Sequence, residues 1–283
     1  MLIAQISDTH VSTPKGPDDD FLHTSEHLAR AVAHLNRLDA RPDLVVITGD
    51  LVDRGEVAEY ERLRGLLAPL TMPVFLLPGN HDDRDNLRRV FVDHAYLPRD
   101  GFLQYTVDGW PVRLVVLDTN IPGEPGGRLC AERLAWLEAR LAEEPQRPTV
   151  VAMHHPPFSI GLPLMDSFGL DGIDGLAAVL RRHSQVERVL CGHLHRPIVR
   201  RFAGTVACTC PATAHQLALD LPPANRLAIV MEPPACMLHL WLGDAGGLVT
   251  HVSLIGDKHP PLTLHDGQGW VRDAQPPPGF HAT

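Results

Sequence analysis

Short apolar runs alternate with segments whose apolar positions recur at helical spacing over most of the chain. The runs LIAQI, DLVVIT, PVFLL, TVVAM and VERVLC read as strands. Between them, Leu28, Val32, Leu35 and Leu38 follow Ser25, a candidate helix cap, and Tyr60, Leu63 and Leu67 mark a second helix. Leu134, Leu137 and Leu141 mark a third, and Leu176, Val179 and Leu180 a fourth that precedes VERVLCG. With an extra strand at VRLVVLDT, this βαβα order predicts a largely parallel α/β arrangement with helices outside, up to about residue 198.

From Ile198 the texture changes to short β-like runs separated by Gly, Pro and Asp: RFAGTVACTC, RLAIVME, ACMLHLWL and GLVTHVSLI. Strands without helices between them imply antiparallel pairing, and WLGDAGGLVTHV predicts a hairpin through a Gly-rich turn. Beyond Gly256 the chain is rich in Pro, His and Gly, and its last ~15 residues are expected to be poorly ordered unless a neighbouring subunit holds them. The predicted organisation is therefore a core at 1–198, an antiparallel β completion of the same domain at 199–256, and a tail at 257–283 that is either an oligomer contact or disordered. A chain of 283 residues can bury one large core.

Charge narrows the partners. Lys plus Arg number 25 against 34 Asp plus Glu, a formal net charge of −9, so there is no basic footprint for a duplex nucleic acid. Bound divalent cations would offset local acidity, which leaves small anionic substrates open. MLIAQISDTH reads as a strand and not an export signal, no run approaches the ~20 apolar residues that span a bilayer, and the five cysteines are scattered, so a cytoplasmic protein is expected. Cys208 and Cys210 share one face of an apparent strand and read as buried thiols in preference to a metal or redox pair.

The strand ends carry the chemistry. Five apolar runs finish on Asp, Asn or His, which delivers Asp8, His10, Asp50, Asn80, His81, His154, His193 and His195 to the crevice at the carboxyl ends of the strands. Asp8 and His10, two apart, would point the same way if both are extended. Asp50 follows a glycine that allows a sharp turn, and its two oxygens can be shared between two ions. Carboxylate, amide and imidazole without thiolate suit Mn, Fe, Zn or Co. Two ions roughly 3.5–4 Å apart can activate a shared water and clamp both oxygens of an in-line displacement at phosphorus.

The set D-x-H, G-D, G-N-H-D, H-H-P-P and G-H-L-H, in this order over residues 8 to 195, resembles the calcineurin-like metallophosphoesterase superfamily. ISDTH, GNHDD, MHHPP and PATAHQ are similar in particular to the bacterial class III cyclic nucleotide phosphodiesterases and their glycerophosphodiesterase relatives. The resemblance implies a four-layer sandwich of two mixed β-sheets flanked by helices. It also implies a dinuclear centre, Mn or Fe first and Zn or Co as alternatives, and attack on a small phosphodiester by a metal-bridging hydroxide. It puts Asp8, His10, Asp50 and His195 around one metal and Asp50, Asn80, His154 and His193 around the other, with Asp50 bridging. His81 would donate to the phosphoryl or leaving oxygen, and Asn80, His81 and His215 would meet the substrate. A 3′,5′-cyclic nucleotide, cyclic AMP first, is the expected substrate, with glycerophosphodiesters or a broad range of diesters as the alternative. The rival outside enzymology is a metal-free scaffold.

Other residues have duller readings. His155 should point away from His154 along an extended segment, and Asp118 reads as a structural hydrogen-bonding group. Asp53, Asp82 and Asp83 read as loop anchors or as partners orienting a histidine. His215 belongs either to the substrate mouth or to a surface loop. The segment 159–172, taken as having exposed apolar residues, could be a pocket wall or an oligomer contact. Unpaired edges of the C-terminal strands and this segment together predict a homo-oligomer, with no membrane partner.

Overall fold

A computed structural model of the chain describes residues 1–13, 21–221, 226–256, 261–271 and 275. β1 (Leu2–Ile6), α1 (Thr24–Asn36), β2 (Leu44–Thr48), α2 (Val57–Leu67) and β3 (Val74–Leu77) open the fold, followed by α3 (Arg84–Val90). These three strands pair in parallel, as βαβ crossovers require. Every residue of β1 and β2 is buried, which is why LIAQI and LVVIT read as unbroken apolar runs and not as alternations.

A second sheet begins at β4 (Tyr105–Val107) and β5 (Arg113–Val116), an antiparallel pair. The short β6 (Gly127–Arg128), α4 (Ala131–Glu143) and β7 (Thr149–Ala152) come next, then α5 (Pro163–Asp166), β8 (Leu170–Asp171), α6 (Ile173–Leu180) and β9 (Val186–Cys191). After them lie β10 (Val199–Phe202), β11 (Thr205–Thr209), β12 (Gln216–Leu217), β13 (Ile229–Val230), β14 (Ala235–Trp241) and β15 (Leu248–Leu254). The sheet orders are β15-β14-β1-β2-β3 and β10-β11-β9-β7-β5-β4, with β12-β13 and β6-β8 as two small ladders.

Alternation along the second sheet separates two cores. Leu114, Val116, Val150, Ala152, Leu190 and Cys208 join the first sheet and the apolar stripes of α1 and α2, whereas Val115, Val151, Val189, Cys191 and Ala207 join Leu137, Leu141, Leu176 and Val179 of α4 and α6. The result is a four-layer α/β sandwich: helices, mixed sheet, mixed sheet, helices. Gln5 ties the sheets together from inside. Its Nε2 donates to Thr48 Oγ1 and to the Cys191 carbonyl, both at 2.9 Å, and its Oε1 lies 3.1 Å from His239 Nε2.

Several expectations change. Ser25 is not the cap, because α1 starts at Thr24 behind His23, whose left-handed backbone (φ 51°) ends the preceding turn, and Leu38 lies past its end. The C-terminal strands are not all antiparallel: β10 and β11 form a hairpin, but β11 returns beside β9 in parallel. β14 runs antiparallel to β1, and β14 and β15 form the hairpin read from WLGDAGGLVTHV. The segment 159–172 does not expose its apolar residues as a whole, since Leu162, Met165 and Leu170 are buried in the second core. That takes away the apolar surface on which an oligomer contact there would rest. Of the tail, 257–260, 272–274 and 276–283 lie outside the described residues, and 261–271 hold a His265–Trp270 bridge.

Candidate metal centre

The strand-end residues converge through backbone turns. Asp8 (φ 52°), His10 (φ 40°), Asp50 (φ 47°), His193 (φ 69°) and His195 (φ 47°) all adopt left-handed backbone, five of the seven non-glycine residues that do so among those described. Asp8 and His10 are therefore not extended, and their meeting does not come from two-residue strand spacing as expected. Left-handed conformation costs a residue with a Cβ of order 1–2 kcal/mol, so this concentration marks a place where the surrounding structure over-determines the backbone. Two glycines make room for it. A Cβ on Gly49 would stand 2.4 Å from His154 Nδ1, and one on Gly79 would stand 2.2 Å from Asp50 Oδ1.

Two nests result, sharing Asp50. In one, Asp8, His10, Asp50 and His195 bring their ligand atoms within 4.8 Å of one another. His10 Nε2 is 3.1 Å from His195 Nε2 and 3.7 Å from Asp50 Oδ2, and His195 Nε2 is 3.5 Å from Asp8 Oδ1. In the other, Asn80 Oδ1 stands 3.1 Å from both His154 Nε2 and His193 Nδ1, and His154 Nε2 is 3.3 Å from Asp50 Oδ2.

Hydrogen bonds on the far side of the rings fix which nitrogen faces inward. His154 Nδ1 meets the Thr48 carbonyl at 2.8 Å, His195 Nδ1 the His215 carbonyl at 3.1 Å, and His193 Nε2 the Phe168 carbonyl at 3.1 Å. A carbonyl only accepts, so each of these nitrogens donates, and in the neutral ring the lone pair points into the nest. Acceptors thus face acceptors across about 3 Å, an arrangement that a cation at their focus turns from repulsive to attractive. The residues fit a divalent metal.

Electrostatics agree. Burial pushes Asp8 up to about 7. Burial also raises Asp50, but His154, His81 and His10 together outweigh it and hold that carboxylate well below its ordinary range. Burial pulls His154 down, yet Asp50 and Asp8 reverse the sign and lift it to about 9. Burial drives His10 and His193 well down, and His195 to about 3, so these imidazoles are neutral lone-pair donors. The positive charge that the two buried carboxylates demand is what a divalent ion supplies in place of a proton on His154.

Around the nests, the loop carrying Asn80 and His81 is held from several sides. The His81 amide donates to Asp50 Oδ1 at 3.0 Å, and its Nδ1 donates to the Asp53 carbonyl at 2.7 Å, which turns Nε2 outward. Burial lowers its pKa, but Asp50, the Asp53 carbonyl and carboxylate and Asp82 together raise it above the ordinary value. Asp82 accepts from the Leu51 and Gly79 amides at 3.0 and 2.8 Å, and Asp83 caps α3 through the Asp85 and Asn86 amides. Asp118 binds Arg84 at 2.6 and 2.8 Å and is a structural anchor. Asn120 was missed by sequence reasoning: its Nδ2 donates to the Gly79 and Asp82 carbonyls and pins the loop. Its place two residues past the strand-end Asp118 was the signal. His155 does not point away from His154 as expected: its ring packs 4.8 Å from that of His154 and 4.5 Å from that of His193, and burial pushes it down to about 3. His215 is buried, not a surface-loop residue, with its ring 4.7 Å from that of His195 and 5.6 Å from that of His10.

Two cavities open on this centre and share Asp53, Asn80, His81 and Pro125. One, of about 350 Å³, has an apolar wall of Leu22, Met165, Phe168, Leu217, Leu227 and Ile229 facing His10, Asp50, His193, His195 and His215. The other, of about 680 Å³, is polar, with Arg54, Asp83, Arg84, Asp85, Arg88 and Glu124 in its lining. The pocket-wall reading of 159–172 holds in part, since Met165 and Phe168 line the apolar cavity, whereas Leu22, Leu217, Leu227 and Ile229 of that wall and the orienting carbonyls of Thr48 and Phe168 come from elements remote in the chain and were not read from the sequence.

Comparison with known proteins gives the same direction. The model of the calcineurin-like phosphoesterase family matches residues 1–197. A probable glycerophosphodiester phosphodiesterase of Arcobacter nitrofigilis is 34% identical over 274 residues, covering 96% of this chain and 100% of that protein. A probable cyclic nucleotide phosphodiesterase of Rhodopseudomonas palustris is 36% identical over 273 residues, covering 94% and 97%. Among solved structures, a dimetal phosphatase from Danio rerio superposes with a TM-score of 0.60 at 15% identity, covering 90% of this chain and 99% of that one, and so shares the fold.

Proposed function

The chain belongs to the calcineurin-like phosphoesterase family and is a metal-dependent phosphodiesterase, and we propose that it hydrolyses small phosphodiesters, 3′,5′-cyclic nucleotides foremost, at the centre described above. Asp8, His10, Asp50 and His195 would hold one divalent metal, and Asp50, Asn80, His154 and His193 the other. Held there, two divalent ions would supply Lewis acidity toward the phosphoryl oxygens and toward a nucleophilic water. The nitrogen and oxygen donor set, free of thiolate, suits manganese, iron, zinc or cobalt; manganese or iron stands first on the family resemblance alone, and elemental analysis of the purified protein tests this.

The chain's own groups orient and protonate. Asp50 spans both nests and accepts the His81 amide, which locks the relative position of His81 and the centre. His81 faces the cavities with Nε2 free of the Asp53 bond, and its raised pKa keeps a proton available for the leaving oxygen. Asn80 and His215 line the apolar cavity and would meet the substrate there.

The observation that carries the substrate assignment is the apolar wall beside His193 and His195, which suits a nucleobase and has no use for a bare glycerol. The polar cavity joined to it favours a second reading, glycerophosphodiester hydrolysis, since a linear diester has two arms to place. A comparison of kcat/KM on cyclic AMP, glycerophosphoethanolamine and bis(p-nitrophenyl) phosphate decides. Preference for cyclic AMP supports the first reading, preference for the glycerol diester the second, and inactivity on all three with metal loaded would leave a scaffold.

No helix among the described residues is long and apolar enough to cross a membrane. All five cysteines are free thiols, which supports a cytoplasmic setting. We also propose a homo-oligomer. The β12–β13 arm exposes Leu219, Leu227, Ile229 and Met231 beside the cavity mouth, and light scattering showing a fully active monomer at micromolar concentration would remove that proposal.

A further inference from the structure

His155 is fully buried and belongs to neither nest. Its ring lies 4.5 Å from that of His193 and 4.8 Å from that of His154, so the three together have the outline of another cation site. The hydrogen bonds exclude that use. Nε2 is 3.2 Å from the Pro125 carbonyl, an acceptor only, and must carry the proton. Nδ1 then holds the ring's one lone pair, and it sits 2.8 Å from Thr119 Oγ1, whose hydroxyl donates to it. Both nitrogens are committed, and a metal finds no lone pair.

What His155 holds is a wall. Pro125 lines both cavities, and the same loop supplies Pro122, Gly123 and Glu124 to the polar one. Gly127 makes the reach possible, for a Cβ there would stand 2.4 Å from His155 Nδ1. The near end of the relay is fixed as well, because the Thr119 carbonyl accepts from the Arg128 amide at 2.8 Å. The series Thr119 hydroxyl, His155 imidazole, Pro125 carbonyl is therefore a directional relay that ends on the surface the substrate packs against.

On the diesterase reading above, we infer that His155 is a positioning residue for substrate, setting the 121–126 loop through Pro125, and that it acts on KM without taking part in metal binding or turnover. Thr119→Val keeps the ring but removes the donor, so the proton can move to Nδ1 and leave a bare Nε2 against the Pro125 carbonyl. His155→Leu removes the relay, and His155→Gln retains an amide able to donate toward Pro125. In the full-length, metal-loaded protein, Thr119→Val and His155→Leu should raise KM for bis(p-nitrophenyl) phosphate about tenfold, the scale of one lost buried hydrogen bond. Turnover and bound metal should stay at wild-type levels, and His155→Gln should keep KM close to wild type.

Amide hydrogen exchange supplies a readout that needs no turnover. Exchange of the 121–129 peptide should accelerate in Thr119→Val and His155→Leu while that of β7 does not. A wild-type chain inactive on every diester would defeat the diesterase reading and still let exchange decide the role of His155. Unchanged KM and unchanged exchange in both variants would overturn the positioning role. Loss of bound metal together with turnover in Thr119→Val would overturn it too, and would make His155 part of the centre.

Discussion

Tyr60 donates its buried phenol to Asp82 across 2.8 Å, and through that one carboxylate a helix of the first layer grips both loops that carry Asp50 and Asn80. The same phenol accepts from the Asp83 amide at 2.9 Å. Tyr60→Phe leaves a buried carboxylate oxygen and a backbone amide without their partner, so it should destabilise the fold by about 1–3 kcal/mol. Calorimetry on purified protein measures the loss. A metal titration should show weaker binding as well, because the loops that the carboxylate holds both supply the centre.

Asp50→Ala should abolish activity and lower metal content, while the two cores keep the protein folded. Among the described residues, Asp50 is the carboxylate common to both nests. Near-normal metal content and turnover in this variant would sink the assignment.

Asn80 and His81 are neighbours that should fail differently. Asn80→Ala removes the oxygen that lies 3.1 Å from His154 and His193, so excess metal should restore part of its activity. His81→Ala should lower turnover by the ~10²–10⁴-fold range of general acid–base catalysis, with metal affinity intact and no rescue by metal. Alkyl diesters should suffer much more than aryl diesters. Equal losses on both would reduce His81 to holding the phosphoryl group.

Acid stability should depend on His239, which belongs to neither nest. Burial first, then Arg188, pushes its imidazole down to about 3, between Gln5 and Thr250. The folded chain thus refuses a proton that the unfolded chain takes up at about 6.5, so this contribution is present in full above about pH 6.5 and erodes as pH falls toward 3. The slope approaches ~1.4 kcal/mol per pH unit inside that window. In denaturant melts between pH 7 and 4.5, His239→Gln should lose less stability than wild type, and parallel curves would disprove the linkage.

Legibility in the sequence followed the range of the interaction. The stripes of α1, α2, α4 and α6 are local, and each lies where its apolar spacing indicated except that Leu38 falls past the end of α1. The ligand types at strand ends were also legible, since Asp, Asn and His after apolar runs are rare in combination. What the spacing could not reveal was the left-handed backbone at Asp8 and His10, because it is imposed by contacts such as the Asp8 amide to the Gly49 carbonyl at 3.0 Å. Nor does any local signal split one parallel series into two sheets, or send β14 back to pair with β1. The carbonyl that orients His193 comes from Phe168, in a segment whose apolar residues looked superficial and are largely core.

Gln5, buried beneath the centre, joins β1, β2 and β14 of the first sheet to β9 of the second, and the groups above it divide between the same two sheets: Asp8, Asp50 and Asn80 rise from the first, His154, His193 and His195 from the second. The centre is consequently a seam between two halves of the molecule. Neither half presents a full set of ligands, so tight cation affinity certifies that docking is complete and in register, and a nascent or partly unfolded chain carries no such certificate. With the proposed ligand sets, metal uptake would act as a latch on assembly, stabilising the closed sandwich by mass action.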